Sequence, residues 1–302
     1  MHIPDGFLSP PVIGATAAAS AIGVGWASRR AQRNMEEGSA PMLGVLGAFV
    51  FAAQMINFPV GAGTTGHLLG AGLLAITLGP AGAAVVMTAI LVIQALVFQD
   101  GGILALGANV FNMALVGTAA AWLPYRILGA GKTREAGVFL AGFSSVLASA
   151  ASTLLTLKAS GISIPATLAG VSMGLFAVNA AVEGLITAAV VRVLGRMNPR
   201  WTKPAEPLGA GALAALAAAA VALATGGVLL AAGAPDGLES LAERIGIAER
   251  ARVMLAAPLA DYHAAVVELP WLSQALAGAA GILVTFAMLF AAVRLATRKR
   301  GG

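Results

Sequence analysis

Ala81-Gly82-Ala83-Ala84-Val85-Val86-Met87-Thr88-Ala89-Ile90-Leu91-Val92-Ile93-Gln94-Ala95-Leu96-Val97-Phe98 runs for eighteen residues without a charge. A helix of that length is what a hydrocarbon layer of about 30 Å requires. Comparable apolar stretches, separated by polar or turn-rich breaks, lie at 11–28, 41–58, 66–79, 102–123, 135–157, 164–191, 208–232 and 271–293, making nine with 81–98. The predicted fold is therefore an all-α polytopic membrane helix bundle. The 66–79 segment is short and rich in glycine. It is expected to cross, but broken or re-entrant, as is tolerated where protein covers the backbone.

The composition agrees. Of 302 residues, 59% are hydrophobic and 10% are charged, with a mean hydropathy of +0.88. Soluble domains carry about 25% charged residues, so this surface cannot mostly face water. Cysteine is absent, which excludes disulfides and thiolate metal sites. The net charge of +5 follows the positive-inside rule and is not a nucleic-acid footprint. With the N-terminus outside, the inside segments hold Arg29, Arg30, Arg33, Arg126, Lys132, Arg134, Arg192, Arg196, Arg200, Lys203, Arg294, Arg298, Lys299 and Arg300. These are 14 of the 18 basic residues. Lys158, Arg244, Arg250 and Arg252 remain outside. The expected location is a prokaryotic cytoplasmic (inner) membrane, multi-pass, with the C-terminus inside and lipid as a partner.

A charged, proline-containing linker near 197–207 divides the chain into residues 1–200, with about seven core segments, and 201–302, with two accessory spans. Those spans flank an outside loop at 233–270 holding six acidic and three basic residues. Within it Pro235-Asp236-Gly237-Leu238-Glu239-Ser240 reads as a turn and helix start, its carboxylates near the positive end of the helix dipole. The triplet Pro-Asp-Gly at 4–6 and again at 235–237 is read as shared turn chemistry.

The first residues carry distinctive chemistry. Met1-His2-Ile3-Pro4-Asp5-Gly6 has no basic n-region and no cleavage site, so a signal peptide is not expected. Met1 is expected to be retained, because His2 is bulky beside it. A free α-amine titrates near 8, so a metal can displace its proton. The Met1 amine and His2 backbone nitrogen close a five-membered chelate, and that nitrogen with His2 Nδ1 closes a six-membered one. A fourth nitrogen completes a square-planar site of the kind Ni(II) or Cu(II) prefers. His67, at the outside end of the 66–79 segment, is the candidate, and the orientation above places it on the face of His2. Two plainer readings stand beside this one: His2 as an incidental residue on a frayed terminus, and His67 as a packing histidine with a backbone partner.

Met1-His2-Ile3-Pro4-Asp5-Gly6-Phe7-Leu8 resembles the N-terminal signature of the CbiM/NikM substrate-binding (S) subunits of energy-coupling-factor transporters for cobalt and nickel. Asn57-Phe58-Pro59-Val60, the glycine-rich stretch ending His67-Leu68-Leu69-Gly70, Phe98-Gln99-Asp100-Gly101-Gly102 and Leu106-Gly107-Ala108-Asn109-Val110-Phe111-Asn112-Met113 resemble its other blocks, together covering residues 1–200. Residues 201–302, with Pro235-Asp236-Gly237-Leu238-Glu239, resemble the small CbiN/NikN or PDGLE partner, here fused to the chain. The resemblance implies that the Met1 amine, His2 N and Nδ1, and His67 hold transported Ni(II) or Co(II), with no resident cofactor. It also implies a CbiQ/NikQ-like transmembrane coupling subunit and CbiO/NikO-like cytoplasmic ATPases. Cobalamin biosynthesis is one use of imported cobalt.

Gln94, Asp100, Asn109, Asn112, Asn179 and Glu183 are polar groups in or beside spans. Such residues are functional candidates by default, though amides more often bond neighbouring helices. Asn57, Gln94 and Asp100 are expected to support the ligands from behind. Glu183 is read as an ion-path residue, a proton relay or, preferentially, a neutral acid paired with a neighbouring helix. His263 is read as structural or incidental, and Gly174 as a close-packing residue. Gly129-Ala130-Gly131-Lys132-Thr133 mimics the end of a phosphate loop, but Arg126 occupies the first glycine position. The rival function is an ion-coupled secondary metal permease using Glu183. An intramembrane enzyme is disfavoured, because no Ser/His/Asp set or His-x-x-x-His helix is evident.

Overall fold

The computed structural model describes residues 1–34, 39–198, 206–229 and 231–298. Arg200, Lys203, Lys299 and Arg300 of the expected inside set lie outside the described residues. The helices are α1 (Pro10–Asn34), α2 (Ser39–Gln54), α3 (Ala71–Phe98), α4 (Leu106–Leu128), α5 (Arg134–Ala159), α6 (Ala166–Met197), α7 (Ala210–Thr225), α8 (Gly237–Arg244) and α9 (Pro270–Arg298). A two-stranded antiparallel hairpin, β1 (Phe58–Gly61) and β2 (Thr64–Gly66), precedes α3. Among the described residues six helical stretches are long and apolar enough to cross a membrane, and α2 and α7 are shorter apolar helices.

One of those six, α3, is not a single rod. Gly79 has φ 73° and ψ 166°, a conformation that in practice only glycine adopts, and Pro80 brings no N–H to continue the ladder. Gln54 Nε2 lies 2.7 Å from the Leu69 carbonyl and 3.9 Å from Met87 Sδ. Along a straight helix those positions would stand about 27 Å apart. The chain therefore doubles back at Gly79, and the expected 66–79 and 81–98 segments are the two arms of one element. The first arm, 71–78, rises only about 12 Å. Residues 67–70, between β2 and this arm, have no regular structure.

That irregular backbone has no ladder of its own, so side chains serve it. Glu183 accepts the Leu69 N–H at 2.8 Å through Oε2 and the Gly70 N–H at 2.8 Å through Oε1. Asn179 Nδ2 donates to the His67 carbonyl at 3.1 Å, and Gln54 donates to that of Leu69. Non-helical backbone inside a bundle needs this satisfaction. Glu183 thus bonds backbone amides of the 66–79 segment. Both of its oxygens act as acceptors, and its partner is the break itself.

Close packing centres on Gly72, Gly142 and Gly184. A Cβ at Gly72 would lie 2.8 Å from Gly142 Cα, and one at Gly142 would lie 2.9 Å from Gly184 Cα. Gly174 does not behave as expected: a Cβ there meets nothing within 4 Å. Gly72→Ala is expected to destabilise the detergent-solubilised protein by about 1–3 kcal/mol, since backbone must move to make room. Gly174→Ala should be neutral or better. Equal melting temperatures for the two variants would refute the three-glycine crossing.

The last helix lies along α2, where Gly44 faces Phe286 and Gly47 faces Leu289. The short α8 sits over the hairpin, with Leu238, Leu241 and Ala242 buried. Asp236 and Glu239 form a reciprocal cap at its start: Asp236 Oδ1 accepts from the Leu238 and Glu239 amides, and Glu239 Oε2 from the Asp236 amide.

Candidate metal centre

The N-terminal segment is held as firmly as a core strand. Ile3 is fully buried and Met1 is 2% exposed. The Asn109 side chain acts as a strand neighbour: its Oδ1 accepts the Ile3 N–H at 2.8 Å, and its Nδ2 donates to the Ile3 carbonyl at 3.0 Å. The Gly102 N–H reaches the same carbonyl at 2.9 Å. Asp5 accepts the N–H groups of Ile103 at 2.9 Å and Ala105 at 3.0 Å, just ahead of α4. Its carboxylate thus sits at the favourable end of that helix dipole. The terminus is not a frayed tail.

Following Ile3 back two residues leads to the Met1 amine, 3.2 Å from His67 Nε2. His67 Nδ1 is 2.9 Å from the Leu68 carbonyl, which can only accept, so Nδ1 carries the ring proton. Nε2 then presents its lone pair to the amine. This is the usual arrangement of a metal-binding imidazole, one nitrogen anchored and the other free. The amine also donates to Asp236 Oδ2. The His2 ring stacks on the His67 ring, with centroids 5.7 Å apart and planes 7° from parallel. Its Nδ1 does not face the amine. It lies 2.9 Å from Asp100 Oδ1, while Nε2 is buried without a partner.

Asp100 sits in the loop between α3 and α4, and two π-helical turns, Gln94–Phe98 and Val110–Val116, border that loop. Its second oxygen accepts from the Tyr262 hydroxyl at 2.6 Å. Burial alone would raise the carboxyls of both Asp100 and Asp236, but neighbouring charge and hydrogen bonds prevail. His2 and Tyr262 hold Asp100 well below the usual carboxylate range. The Met1 ammonium and His67 lower Asp236 to about 2. His2, His67, Asp100, Asp236 and Tyr262 border a cavity of about 700 Å³, together with Glu239 and Glu243. Among the described residues no set of three or more His, Cys, Asp and Glu side chains is arranged to hold a metal ion alone.

The structure thus gathers Met1, His2, His67 and Asp100 in one place. Asn57 borders the same cavity, and Gln94 bonds Gln54 at 2.7 Å and Tyr262 at 3.3 Å, one step removed. Asn112 serves the bundle, pairing with Ser152 and Thr156. His263 is exposed and stands apart. The sequence reading missed Asp236, Tyr262 and the clamp by Asn109. One signal was available for Asp236: the Pro-Asp-Gly triplet occurs twice, and the fold brings one just after His2 and Ile3 and the other against the amine. Asn109→Ala removes both side-chain bonds to Ile3 and is expected to weaken metal binding about 10- to 100-fold, the usual effect of losing a ligand's support. Unchanged affinity in a titration of that variant would show the clamp to be dispensable.

Residues 2–201 match the family described as the cobalt uptake substrate-specific transmembrane region, CbiM. The chain belongs to this family. Residues 210–298 match the PDGLE domain. Among relatives of this CbiM-family chain, the fused nickel transport protein NikMN of Rhodobacter capsulatus is 32% identical over 100% of both chains. The putative fused nickel transport protein NikMN of Archaeoglobus fulgidus is 34% identical over 98% of this chain and 99% of its own. A crystal structure of a truncated transition metal transporter, 33% identical, covers 65% of this chain and 99% of its own with a TM-score of 0.57. The CbiM-family chain is therefore a multi-pass membrane protein of metal uptake, and its relatives are transport proteins.

Proposed function

We propose that this chain is the substrate-specificity subunit of an energy-coupling-factor transporter, capturing Ni(II) or Co(II) outside the cytoplasmic membrane. Its ligands are the Met1 amine, the His2 backbone nitrogen, the His2 imidazole and His67. The observation that carries this reading is the approach of the amine to His67 Nε2, at 3.2 Å. Metal–nitrogen bonds near 2.0–2.1 Å place adjacent donors of a planar site about 2.9 Å apart, so the two nitrogens stand nearly where one ion would hold them. The His2 backbone nitrogen follows from covalent continuity. The His2 ring joins by turning about its side-chain torsions, exchanging Asp100 for the metal.

In this reading residues 1–200 form the capture domain. Residues 201–302 form an accessory domain whose 233–270 loop lies outside, with the C-terminus inside. A CbiQ/NikQ-like coupling subunit and CbiO/NikO-like ATPases drive reorientation and release, and this chain hydrolyses no ATP itself. Acid weakens binding, because the amine, amide and imidazoles must shed protons to ligate. The test is a titration of the purified chain with Ni(II) and with Co(II), followed by calorimetry and the visible spectrum. It is run on the native protein and on one carrying a single extra residue ahead of Met1. Tight binding that the extension abolishes supports the site, and equal binding by the native protein, the extended one and one whose Met1 amine is acetylated removes the N-terminus from it.

A further inference from the structure

We infer that the C-terminal unit positions the metal-binding N-terminus, Asp236 by pairing with the Met1 amine and Tyr262 by fixing Asp100 against His2. This rests on the metal-site reading above and adds residues far from the ligands in sequence. Asp236 has one oxygen for each of two tasks. Oδ1 caps α8 through the Leu238 and Glu239 amides, leaving Oδ2 for the amine. Its place is set from the His67 side as well. The Thr65 amide donates to the Pro235 carbonyl at 2.9 Å, Thr65 Oγ1 to that of Ala234 at 2.9 Å, and Thr64 Oγ1 bonds Ser240 Oγ at 3.1 Å. The strand that runs into His67 is therefore stapled to the turn that presents Asp236. A second tie joins the loops, the Arg252 amide donating to the Asp5 carbonyl at 2.9 Å.

Tyr262 reaches the site by a different route. Its ring stacks on Phe98 with centroids 4.8 Å apart, and the Leu259 amide anchors the loop to the Val97 carbonyl at 2.9 Å. Asp261 and Tyr262 both sit at positive φ, 52° and 60°. Non-glycine residues hold that conformation where their surroundings over-determine it. The hydroxyl then takes Asp100 Oδ2, and Asp100 Oδ1 takes His2 Nδ1. Each of the first two residues of the chain thus ends on a carboxylate, and the C-terminal unit supplies one and orients the other. Holding a ligand in place before the ion arrives lowers the ordering cost of binding.

Asp236→Asn separates this role from helix capping, because asparagine caps a helix as well as aspartate does yet offers the amine no charge. Tyr262→Phe keeps the Phe98 stack and loses only the hydroxyl. The metal-free, full-length protein is treated with diethyl pyrocarbonate, which modifies both α-amines and imidazoles, and the N-terminal peptide is quantified by mass spectrometry. Modification of the Met1 amine is expected to be about tenfold faster or more in Asp236→Asn, and that of the His2 ring several-fold faster in Tyr262→Phe, as local opening is eased. Wild-type rates in both variants overturn the inference, even if the native protein binds nickel tightly. Accelerated modification in a protein that binds no nickel would leave the positioning role standing and remove the metal reading instead.

Discussion

One residue added ahead of Met1 is expected to lower affinity for Ni(II) and Co(II) by about two to three decades. Four-ligand protein sites bind divalent zinc with about 10–16 kcal/mol, so one ligand's share is about 2.5–4 kcal/mol, and every 1.4 kcal/mol is tenfold. Extension turns the Met1 amine into a peptide nitrogen, without its charge and with its lone pair delocalised. The new amine, the two amides and the His2 ring could form a planar set of their own, so acetylating the Met1 amine, which adds no new amine, is the matching control. There is also no room for the added residue: Met1 is 2% exposed, and its amine already contacts His67 and Asp236. Asp236, half-buried, would then be left beside no cation, a further cost. A square-planar nickel spectrum in the native protein that vanishes on extension is the expected pair of results. An unchanged isotherm for both the extended protein and one whose Met1 amine is acetylated would mean that the ion binds elsewhere in the chain.

Glu183→Leu is expected to cost about 2–6 kcal/mol of stability, because it leaves the Leu69 and Gly70 amides without acceptors and each buried orphan costs about 1–3 kcal/mol. Against a total near 5–15 kcal/mol, that is enough to lose most folded protein. Glu183→Gln keeps one acceptor oxygen but turns an NH₂ toward the second amide, so it should fall between, with melting temperature and nickel affinity declining together. The link is mechanical: the same backbone that Glu183 holds carries His67 two residues earlier. The secondary-permease reading expects otherwise. Loss of transport in Glu183→Gln, with wild-type melting temperature and wild-type nickel binding, would make Glu183 a proton carrier.

The helical arms were legible because an apolar run long enough to span a bilayer has few alternatives. The break was legible only in part. Glycine content at 61–79 marked an irregular segment, but period and hydropathy say nothing about where a chain reverses. Gly79-Pro80 became a reversal only with Gln54 bridging Leu69 and Met87. The partners of Glu183 were hidden for the same reason: they are the Leu69 and Gly70 backbone amides, and backbone amides leave no mark in a sequence. Gly174 looked like Gly142 and Gly184 on paper. It differs because a Cβ at Gly174 meets nothing, whereas the other two face neighbouring backbone.

What the sequence by itself determined is a membrane helix bundle and a terminus whose nitrogens have chelate spacing, because both follow from local covalent chemistry and from the apolar length of single segments. The spacing of amine, amide and imidazole in Met1-His2 is set by bonds, and no fold is needed to read it. What only the tertiary structure decided is which distant groups meet that terminus. Asp236 on the Met1 amine, Asn109 on Ile3, and Tyr262 behind Asp100 are through-space pairings across 106 to 235 residues of chain. They exist because a bundle that buries polar backbone must bring side chains from other segments to satisfy it.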